Sequence, residues 1–162
     1  MNLDKKNDVG IIDDTFHMLN ERHNNIYQFV IQYNEYILST HDYGEGIPLT
    51  MIESHTLTHI EDHPGITISE LAIYWSKTKS ALSQTVSRLV KWNLVVKKKQ
   101  NDNLKNLHLY TTDIGTKISR AHKLYDTIDI IKTMDELGKE CSAEDINSFY
   151  KVISVYNKII KK

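Results

Sequence analysis

The most restrictive pattern in this chain is a pair of short helices with separate start signals, followed directly by two strands. Thr67 and Glu70 form a capping box, in which hydroxyl and carboxylate satisfy each other's backbone N–H groups. Thr78 is the expected N-cap of the next helix. Two apolar runs predict the strands of a hairpin, at 94–96 and 107–110. This order predicts a helix-turn-helix followed by a β wing.

Charge is distributed unevenly along the chain, although its net value is only -1 at pH 7. Residues 76–105 contain eight Lys or Arg residues and a single acid, Asp102. Residues 41–75 contain six acids and no Lys or Arg. Affinity for phosphate depends on local basic surface rather than on total charge. The segment 76–105 is therefore predicted to bind a polyanion.

The second helix, expected over residues 78–92, has two different sides. Its apolar side consists of Ala81, Leu82, Val86, Leu89 and Val90. Its other side carries small polar and basic residues at helical spacing. A helix that enters the major groove of DNA needs this division, because one face packs on the preceding helix while the other meets the bases. The pattern predicts double-stranded DNA as a partner.

The expected DNA interface combines this helix with the wing, residues 95–110. Gln84 suits an adenine edge, and Arg88 suits a guanine edge or a phosphate. Wing residues commonly approach the minor groove or phosphates. Which helix residues contact bases stays open. The predicted interface residues are Thr67, Lys77, Thr78, Lys79, Ser80, Ser83, Gln84, Ser87, Arg88, Lys91, Lys97, Lys98, Lys99, Asn103, Lys105 and Asn106.

Amphipathic helices flank this segment on both sides. An apolar stripe with alternating steps of four and three runs from Ile12 to Ile37, and such a helix needs a partner within the chain or across a dimer. A loop is expected at 41–48, then a helix opened by a capping box at Thr50 and closed at Pro64-Gly65. Two further helices are expected, one from Thr116 with Gly138 as a break, and one after Ser142. The predicted fold is mainly α with a small β wing, in the order α-α-α-α-β-β-α-α.

Composition limits the class of protein. The length of 162 residues suggests one domain, 1–162. A single cysteine excludes an internal disulfide framework, and no secretion signal or membrane span is apparent, so a cytoplasmic protein without a membrane partner is expected. No phosphate loop, dinucleotide fingerprint or nucleophile elbow occurs. We therefore expect neither an enzyme nor a bound cofactor.

Residues 49–115 resemble the winged-helix core of the MarR family, the multiple antibiotic resistance regulators. The matching residues are Glu53, His55, Ile68-Ser69-Glu70-Leu71-Ala72, Thr78-Lys79-Ser80-Ala81-Leu82-Ser83-Gln84, Leu89, Leu94-Val95 and Thr112-Asp113-Ile114-Gly115. The resemblance implies a homodimeric transcription regulator of bacterial type, in most cases a repressor on a pseudo-palindromic operator. It implies that 11–40 and 116–161 are dimerisation helices. It also implies release by a ligand, metal or oxidant, so a small-molecule effector of unstated identity is a further implied partner.

Three positions depart from that family pattern. Ser76 stands in the turn where a glycine is common, and Lys77 follows it where an apolar residue is usual. Lys105 stands where the wing often has arginine, and lysine supplies the charge without the planar fork. These departures leave room for a protein-interaction module of the same fold that does not bind DNA.

Several other residues are candidates for a regulatory site. His55, His59 and His63 recur every four residues on one predicted helix, which suits a metal ion or simply a polar helix surface. His23 and His122 suit buried positions at a dimer interface or a protonation switch. Cys141 would sense oxidants only as an exposed thiolate. Aromatic residues suit either the core or a ligand cleft, namely Tyr27, Tyr33, Tyr36, Tyr74 and Trp75.

Overall fold

The computed structural model of the chain describes residues 8–99 and 107–160. The fold is mainly helical with a small antiparallel wing, as predicted. The elements follow one another as α1 (Asp8–Leu38), β1 (Thr40–Asp42), β2 (Pro48–Thr50), α2 (Met51–Asp62), α3 (Ile68–Tyr74), α4 (Lys79–Lys91), β3 (Val95–Lys99), β4 (Leu107–Thr111), α5 (Asp113–Glu140) and α6 (Ala143–Ile160).

The hairpin β1–β2 lies where the sequence predicted only a loop. Asp42 Oδ1 accepts hydrogen bonds from the backbone N–H groups of Gly44, Glu45 and Gly46, and this holds the turn closed. Both glycines adopt positive φ, which other residues rarely do. Leu49 on β2 is fully buried and anchors the hairpin on the core. The loop prediction was wrong because three-residue strands leave almost no periodicity to detect.

The predicted helix starts are confirmed by their hydrogen bonds. Thr50 and Thr67 each open a complete capping box, with Glu53 and Glu70 as the reciprocal partners. The hydroxyl of Thr78 accepts from the N–H of Ala81 at the start of α4. These caps satisfy backbone donors that would otherwise lack partners at the first turn. The start of each of these helices could therefore be located from the sequence.

One apolar core joins α2, α3, α4, the wing and the first turns of α5. Its fully or almost fully buried members are Leu49, Leu57, Ile60, Leu71, Leu82, Val86, Leu89, Leu94, Val95, Leu109 and Ile118. Leu109 adds a backbone bridge to the segment before α3, since Leu109 N donates to Ile66 O and Gly65 N donates to Leu109 O. The core therefore fixes α4 relative to the wing.

Helix α5 differs from its prediction at both ends. It begins at Asp113, three residues before the predicted start, because the Thr112 hydroxyl caps it by accepting from Gly115 N. It also continues through Gly138, where the sequence suggested a break. An exposed glycine costs a helix only about 1 kcal/mol, which a helix of 28 residues tolerates. Ser142 and Asp145 then cap α6 as predicted.

The helices α1 and α6 contribute little to this core. None of the described residues of α6 is buried, and none of the α1 residues whose side chains are described is buried either. Large apolar side chains at 37% to 75% exposure line both helices and the second half of α5. No helix of the described residues is both long enough and apolar enough to cross a bilayer.

Candidate nucleic-acid interface

Helix α4 presents a polar face away from the core. Ser80, Gln84, Ser87 and Lys91 are exposed on this face, and Leu82, Val86 and Leu89 are fully buried on the opposite one. Lys79 is also exposed, at the N-terminal end of the helix, whereas Ser83 is half-buried. This division follows the sequence pattern, and its polar face is free to meet a groove of DNA.

Two threonines of the predicted interface serve as caps. Thr67 Oγ1 donates to Glu70 Oε2 at 2.7 Å and accepts from Glu70 N at 3.3 Å. The Thr78 hydroxyl accepts from Ala81 N at 3.2 Å. These hydroxyls are therefore occupied with backbone and carboxylate partners. Their main effect on an interface is to place the N-terminal ends of α3 and α4.

The turn between α3 and α4 contains the non-glycine residue that the sequence flagged. Ser76 has φ 50°, in the left-handed region where glycine is unstrained. The turn is held by Ser76 N donating to Ile73 O and Lys77 N donating to Ala72 O. Lys77 is exposed beside the start of α4. Ser76 therefore adopts a backbone conformation that favours glycine, at the position where the family often has glycine.

The wing carries a row of three lysines on β3. Lys97, Lys98 and Lys99 pair with Leu109, His108 and Leu107 on β4. Lys98 and Lys99 are exposed, Lys97 is half-buried, and Lys98 Nζ lies 5.1 Å from the centroid of the Tyr110 ring. Asn103, Lys105 and Asn106 lie outside the described residues. The strand thus contributes positive charge at the base of the wing.

Arg88 is the predicted interface residue whose surroundings differ from expectation. Its Nε donates to Glu53 Oε1 on α2, so its guanidinium is engaged within the protein. Glu53 is buried, whereas the Arg88 side chain is 53% exposed. The sequence had suggested a base or phosphate contact, and this long-range pair was not anticipated.

Three of the six acids before the basic segment, Glu45, Glu61 and Asp62, pair with cations of α5. Glu61 accepts from Ser119 Oγ at 2.6 Å and from Lys123 Nζ at 3.0 Å, and Lys123 also donates to Asp62 at 2.6 Å. Burial would raise the pKa of Glu61, but the hydrogen bonds from Ser119 and Lys123 outweigh it and hold the pKa below its usual value. Glu45 likewise pairs with Lys117. The acids therefore tie α2 and the first hairpin to α5.

The three histidines proposed as metal ligands do not converge on one point. His63 Nδ1 lies 3.0 Å from His59 O, and the His59 ring stacks on Tyr74 with centroids 3.8 Å apart. Burial and His63 lower the pKa of His59. His55 instead turns toward α5. The i, i+4 spacing was a poor guide here, because partners on another helix compete for these rings.

His55 belongs to a cluster with two residues of α5. His55 Nε2 lies 3.4 Å from Asp126 Oδ2, and His122 Nδ1 lies 3.3 Å from Asp126 Oδ1. Within the described part of the chain, this is the group of three His or acidic residues whose ligand atoms lie within 4.8 Å of one another. His122 is buried, and despite its proximity to Asp126 its Nδ1 lacks a well-aligned hydrogen bond.

The electrostatics of this cluster favour neutral imidazole at His122. Burial lowers the pKa of His122 to about 4, and the nearby His55 and His41 act in the same direction, against the opposing effect of Asp126. A neutral imidazole has a free lone pair and needs no proton removed before it binds a metal. The cluster thus combines two imidazoles and a carboxylate, a donor set that zinc accepts.

Comparison with known proteins finds a family whose sequence profile matches part of the chain. Residues 46–103 match the sequence profile of the MarR family, and they include α2, α3, α4 and β3. Solved structures of regulators of this family superpose on most of the chain. Residues 46–103 are therefore similar in sequence to the MarR family, and the chain as a whole is similar to MarR regulators in fold.

Two solved structures illustrate the shared MarR fold. Streptococcus pneumoniae FabT in complex with DNA has a TM-score of 0.64 at 20% identity, and the match covers 90% of this chain and 97% of FabT. Lactococcus lactis ZitR, a zinc-responsive MarR family member, has a TM-score of 0.67 at 14% identity, with 88% and 99% covered. At such identities the likeness concerns the fold.

A curated protein is similar to part of this chain in sequence. The uncharacterized HTH-type transcriptional regulator YhjH of Bacillus subtilis (strain 168) is 27% identical over 84 residues. This alignment covers 52% of the present chain and 48% of YhjH. The match therefore spans about half the length of that relative.

A small cavity lies beside the histidine cluster. Its volume is about 40 Å³, and its lining includes Tyr36, His41, Tyr43, His122 and Tyr125. Ligand pockets for organic molecules are typically about 300 to 1,000 Å³, so this cavity accommodates a water or an ion. Of the aromatic residues proposed for a ligand cleft, Tyr36 lines it, whereas Tyr27, Tyr33 and Tyr74 are exposed elsewhere.

Two other sequence candidates occupy ordinary positions in the MarR fold. His23 is exposed on α1, with Nδ1 3.0 Å from Leu19 O. Cys141 is exposed at the end of α5.

Asp126 is the residue of the histidine cluster that was not predicted from the sequence. Its spacing of four from His122 was a usable signal, because both residues then share one helix face.

Proposed function

We propose that this chain is a homodimeric transcription regulator that represses genes by binding a pseudo-palindromic DNA operator. The observation that carries the proposal is the capped helix α4, whose exposed face bears Ser80, Gln84, Ser87 and Lys91 above a buried apolar face. Lysines of β3 add positive charge beside it. Helix α4 would enter the major groove, and the wing would contact the flanking backbone in the bacterial cytoplasm.

Relatives support DNA as the ligand. FabT and ZitR have both been solved in complex with DNA. A homodimer would place two copies of α4 about 34 Å apart, one helical turn of DNA, so that two-fold symmetric half-sites are bound together. The exposed apolar faces of α1, α5 and α6 are the surfaces that would join the two copies. This assignment separates a DNA-binding part from a dimerisation part.

The first prediction concerns α4. Gln84→Ala is expected to weaken binding to the preferred duplex by about 10- to 100-fold, because a bidentate base contact discriminates by about 1 to 3 kcal/mol. Lys79→Ala is expected to lower the slope of log affinity against log salt by about 0.9, the effect of one phosphate contact. Fluorescence anisotropy on duplexes selected from a random-sequence library measures both.

Lys151→Ala is the matched control for this experiment. It removes the same charge from an exposed position on α6, away from α4, and should change neither slope nor affinity. If Gln84→Ala and Lys79→Ala both bound the selected duplex as tightly as the unmodified protein, α4 would not be the recognition helix. If the unmodified protein bound no duplex in a salt-dependent way, the fold would serve protein interaction instead.

A second candidate function is regulation by a metal ion at the histidine cluster. Three protein donors come from two helices: His55 from α2, and His122 with Asp126 from α5. Donor atoms around tetrahedral zinc lie about 3.3 Å apart when zinc bonds are about 2.0 to 2.1 Å long. The distances of 3.3 and 3.4 Å between donors match that spacing. The buried Nδ1 of His122, which lacks a hydrogen bond, is the atom whose coordination such an ion would complete.

A metal ion at this position would link α2 to α5. When bound, it would act as a Lewis acid that attracts the two imidazoles and the carboxylate. Without a metal ion, these three side chains make only weak polar contacts with one another. Because α2 belongs to the DNA-binding part and α5 extends into the dimerisation part, such a link would fix their relative orientation. The zinc-responsive relative ZitR supports this class of effector.

The second prediction tests the cluster directly. Calorimetric titration of the metal-free protein with zinc should show one site per chain, and His122→Ala should weaken it by more than about 100-fold, since loss of an outer-shell partner alone costs about 10- to 100-fold. His59→Ala is the matched control, because it removes an imidazole from α2 outside the cluster and should leave the affinity unchanged. Equal binding by both variants would assign the zinc to another site.

A further inference from the structure

Arg88 occupies a flank of α4 that turns toward α2. Its neighbours along the helix, Thr85 and Leu89, are buried, whereas Ser87 on the other side is exposed. The Nε of Arg88 donates to Glu53 Oε1, across 35 positions of sequence. The pair therefore connects the last turn of the recognition helix to the first turn of α2.

Glu53 is held in place before it meets Arg88. Its Oε2 accepts from Thr50 N at 2.9 Å and from Thr50 Oγ1 at 2.8 Å, as the reciprocal half of the α2 capping box. Burial would raise the pKa of Glu53, but the hydrogen bonds from Thr50 and Arg88 outweigh it and lower the pKa below the usual value. The carboxylate is thus charged, buried and fixed in direction.

A fixed carboxylate restricts the rotation of α4 about its own axis. Apolar contacts from Leu82, Val86 and Leu89 hold the helix on the core, but such contacts are not directional. A charge-assisted hydrogen bond is directional and is stronger than a neutral one. The Glu53–Arg88 pair therefore adds a directional constraint to the apolar contacts that keep Ser80, Gln84 and Ser87 on the outward face.

We propose that Arg88 is a positioning residue that sets the orientation of the recognition helix through Glu53, rather than a residue that binds DNA. The inference rests on the proposed DNA-binding function. It assigns to α2 an indirect part in sequence recognition, because the carboxylate that orients α4 is a residue of the α2 cap.

Glu53→Gln distinguishes a positioning role from a purely electrostatic one, because the two predict different changes in DNA binding. Glutamine retains the capping box, so the fold of α2 is preserved while the charged acceptor is lost. Removing a negative charge near DNA would by itself raise affinity for every sequence. Positioning instead predicts that the ratio of affinities for the selected duplex and a random duplex falls about 10-fold, the equivalent of one charge-assisted hydrogen bond.

Arg88→Met and Lys91→Met form a matched pair on one helix. Each removes one positive charge, and Lys91 lies on the outward face with no ion-pair partner in the described part of the chain. Lys91→Met should lower the salt slope by about 0.9. Arg88→Met should leave the slope unchanged and reduce the affinity ratio about as much as Glu53→Gln. A slope lowered by about 0.9 in Arg88→Met would identify a phosphate contact and overturn the proposal.

A measurement without DNA keeps this proposal separate from the proposed function. Amide hydrogen exchange along α4 should quicken by about 10-fold in Glu53→Gln and in Arg88→Met, and the double variant should exchange no faster than either single variant. Purely additive effects, or unchanged exchange in the single variants, would overturn the positioning role. If exchange behaves as expected but no duplex is bound, the DNA-binding function fails while the link between the helices stands.

Discussion

Gly115→Ala is expected to destabilise the protein by about 3 kcal/mol or more, the upper range for forcing an extra methyl into a packed core. A Cβ at Gly115 would lie 2.0 Å from the carbonyl oxygen of Leu94, which is backbone and cannot move aside as a flexible side chain does. Leu94 is fully buried, and its carbonyl also accepts from Thr112 N. Urea denaturation followed by circular dichroism at fixed protein concentration measures the loss.

The same substitution elsewhere on α5 is an internal control. Gly138 is exposed, and a Cβ built on it meets nothing within 4 Å. Gly138→Ala should therefore raise the free energy of unfolding by about 0.5 to 1 kcal/mol, because alanine loses less entropy in a helix than glycine. Opposite signs for the two variants would show that steric contact, not helix propensity, decides the effect. A loss below about 1 kcal/mol at Gly115 would mean that α5 shifts freely on the wing.

Local signals account for the part of the fold that was predictable. The capping boxes at Thr50 and Thr67 depend on residues three positions apart, so the sequence contains the whole interaction. The division of α4 into polar and apolar sides likewise depends on helical spacing alone. These features are short in range, and each one also agrees with the final packing.

Long-range pairing accounts for most of what was missed. In the sequence Arg88 was a candidate DNA contact and Glu53 a residue that matched a family pattern, and only the crossing of α4 over α2 brings them together. His55 was a candidate metal ligand together with His59 and His63, but the residues beside it, His122 and Asp126, lie on α5 rather than on its own helix. The hairpin β1–β2 depends on burial of Leu49, a tertiary effect.

Charge segregation was informative for a different physical reason. The basic segment 76–105 stayed recognisable because α4 and β3 expose their lysines on the surface, where local sequence and local charge coincide. The acidic segment 41–75 contains no Lys or Arg of its own, but Glu61 and Asp62 are paired with Lys123 of α5. Oppositely charged residues that are distant in sequence can pair with a charged segment in the folded protein. The net charge of a segment therefore predicts a binding surface only where no such residues pair with it.

Val152→Glu combined with Ile159→Glu is expected to weaken the proposed homodimer by about 1,000-fold or more. Both side chains are at least half exposed on α6, at 52% and 59%, and they lie seven residues apart on one side of the helix. Each buried aliphatic side chain contributes about 1.5 to 3 kcal/mol, and a two-fold interface counts every substitution twice. Because each tenfold change is about 1.4 kcal/mol, four lost side chains account for at least this effect. Sedimentation velocity across a concentration series measures it.

Asn147→Glu combined with Ser154→Glu is the matched control, since it places two carboxylates at the same spacing on the polar side of α6. In sedimentation velocity this control should have the same mass as the unmodified protein. The interface variant should become a monomer and lose about 100-fold or more in affinity for the full palindromic duplex, while binding to a single half-site changes little, because the second contact is then no longer intramolecular. A monomeric unmodified protein that bound the full site as tightly as the variant would remove the homodimer from the proposed function and leave α1 and α6 to another partner.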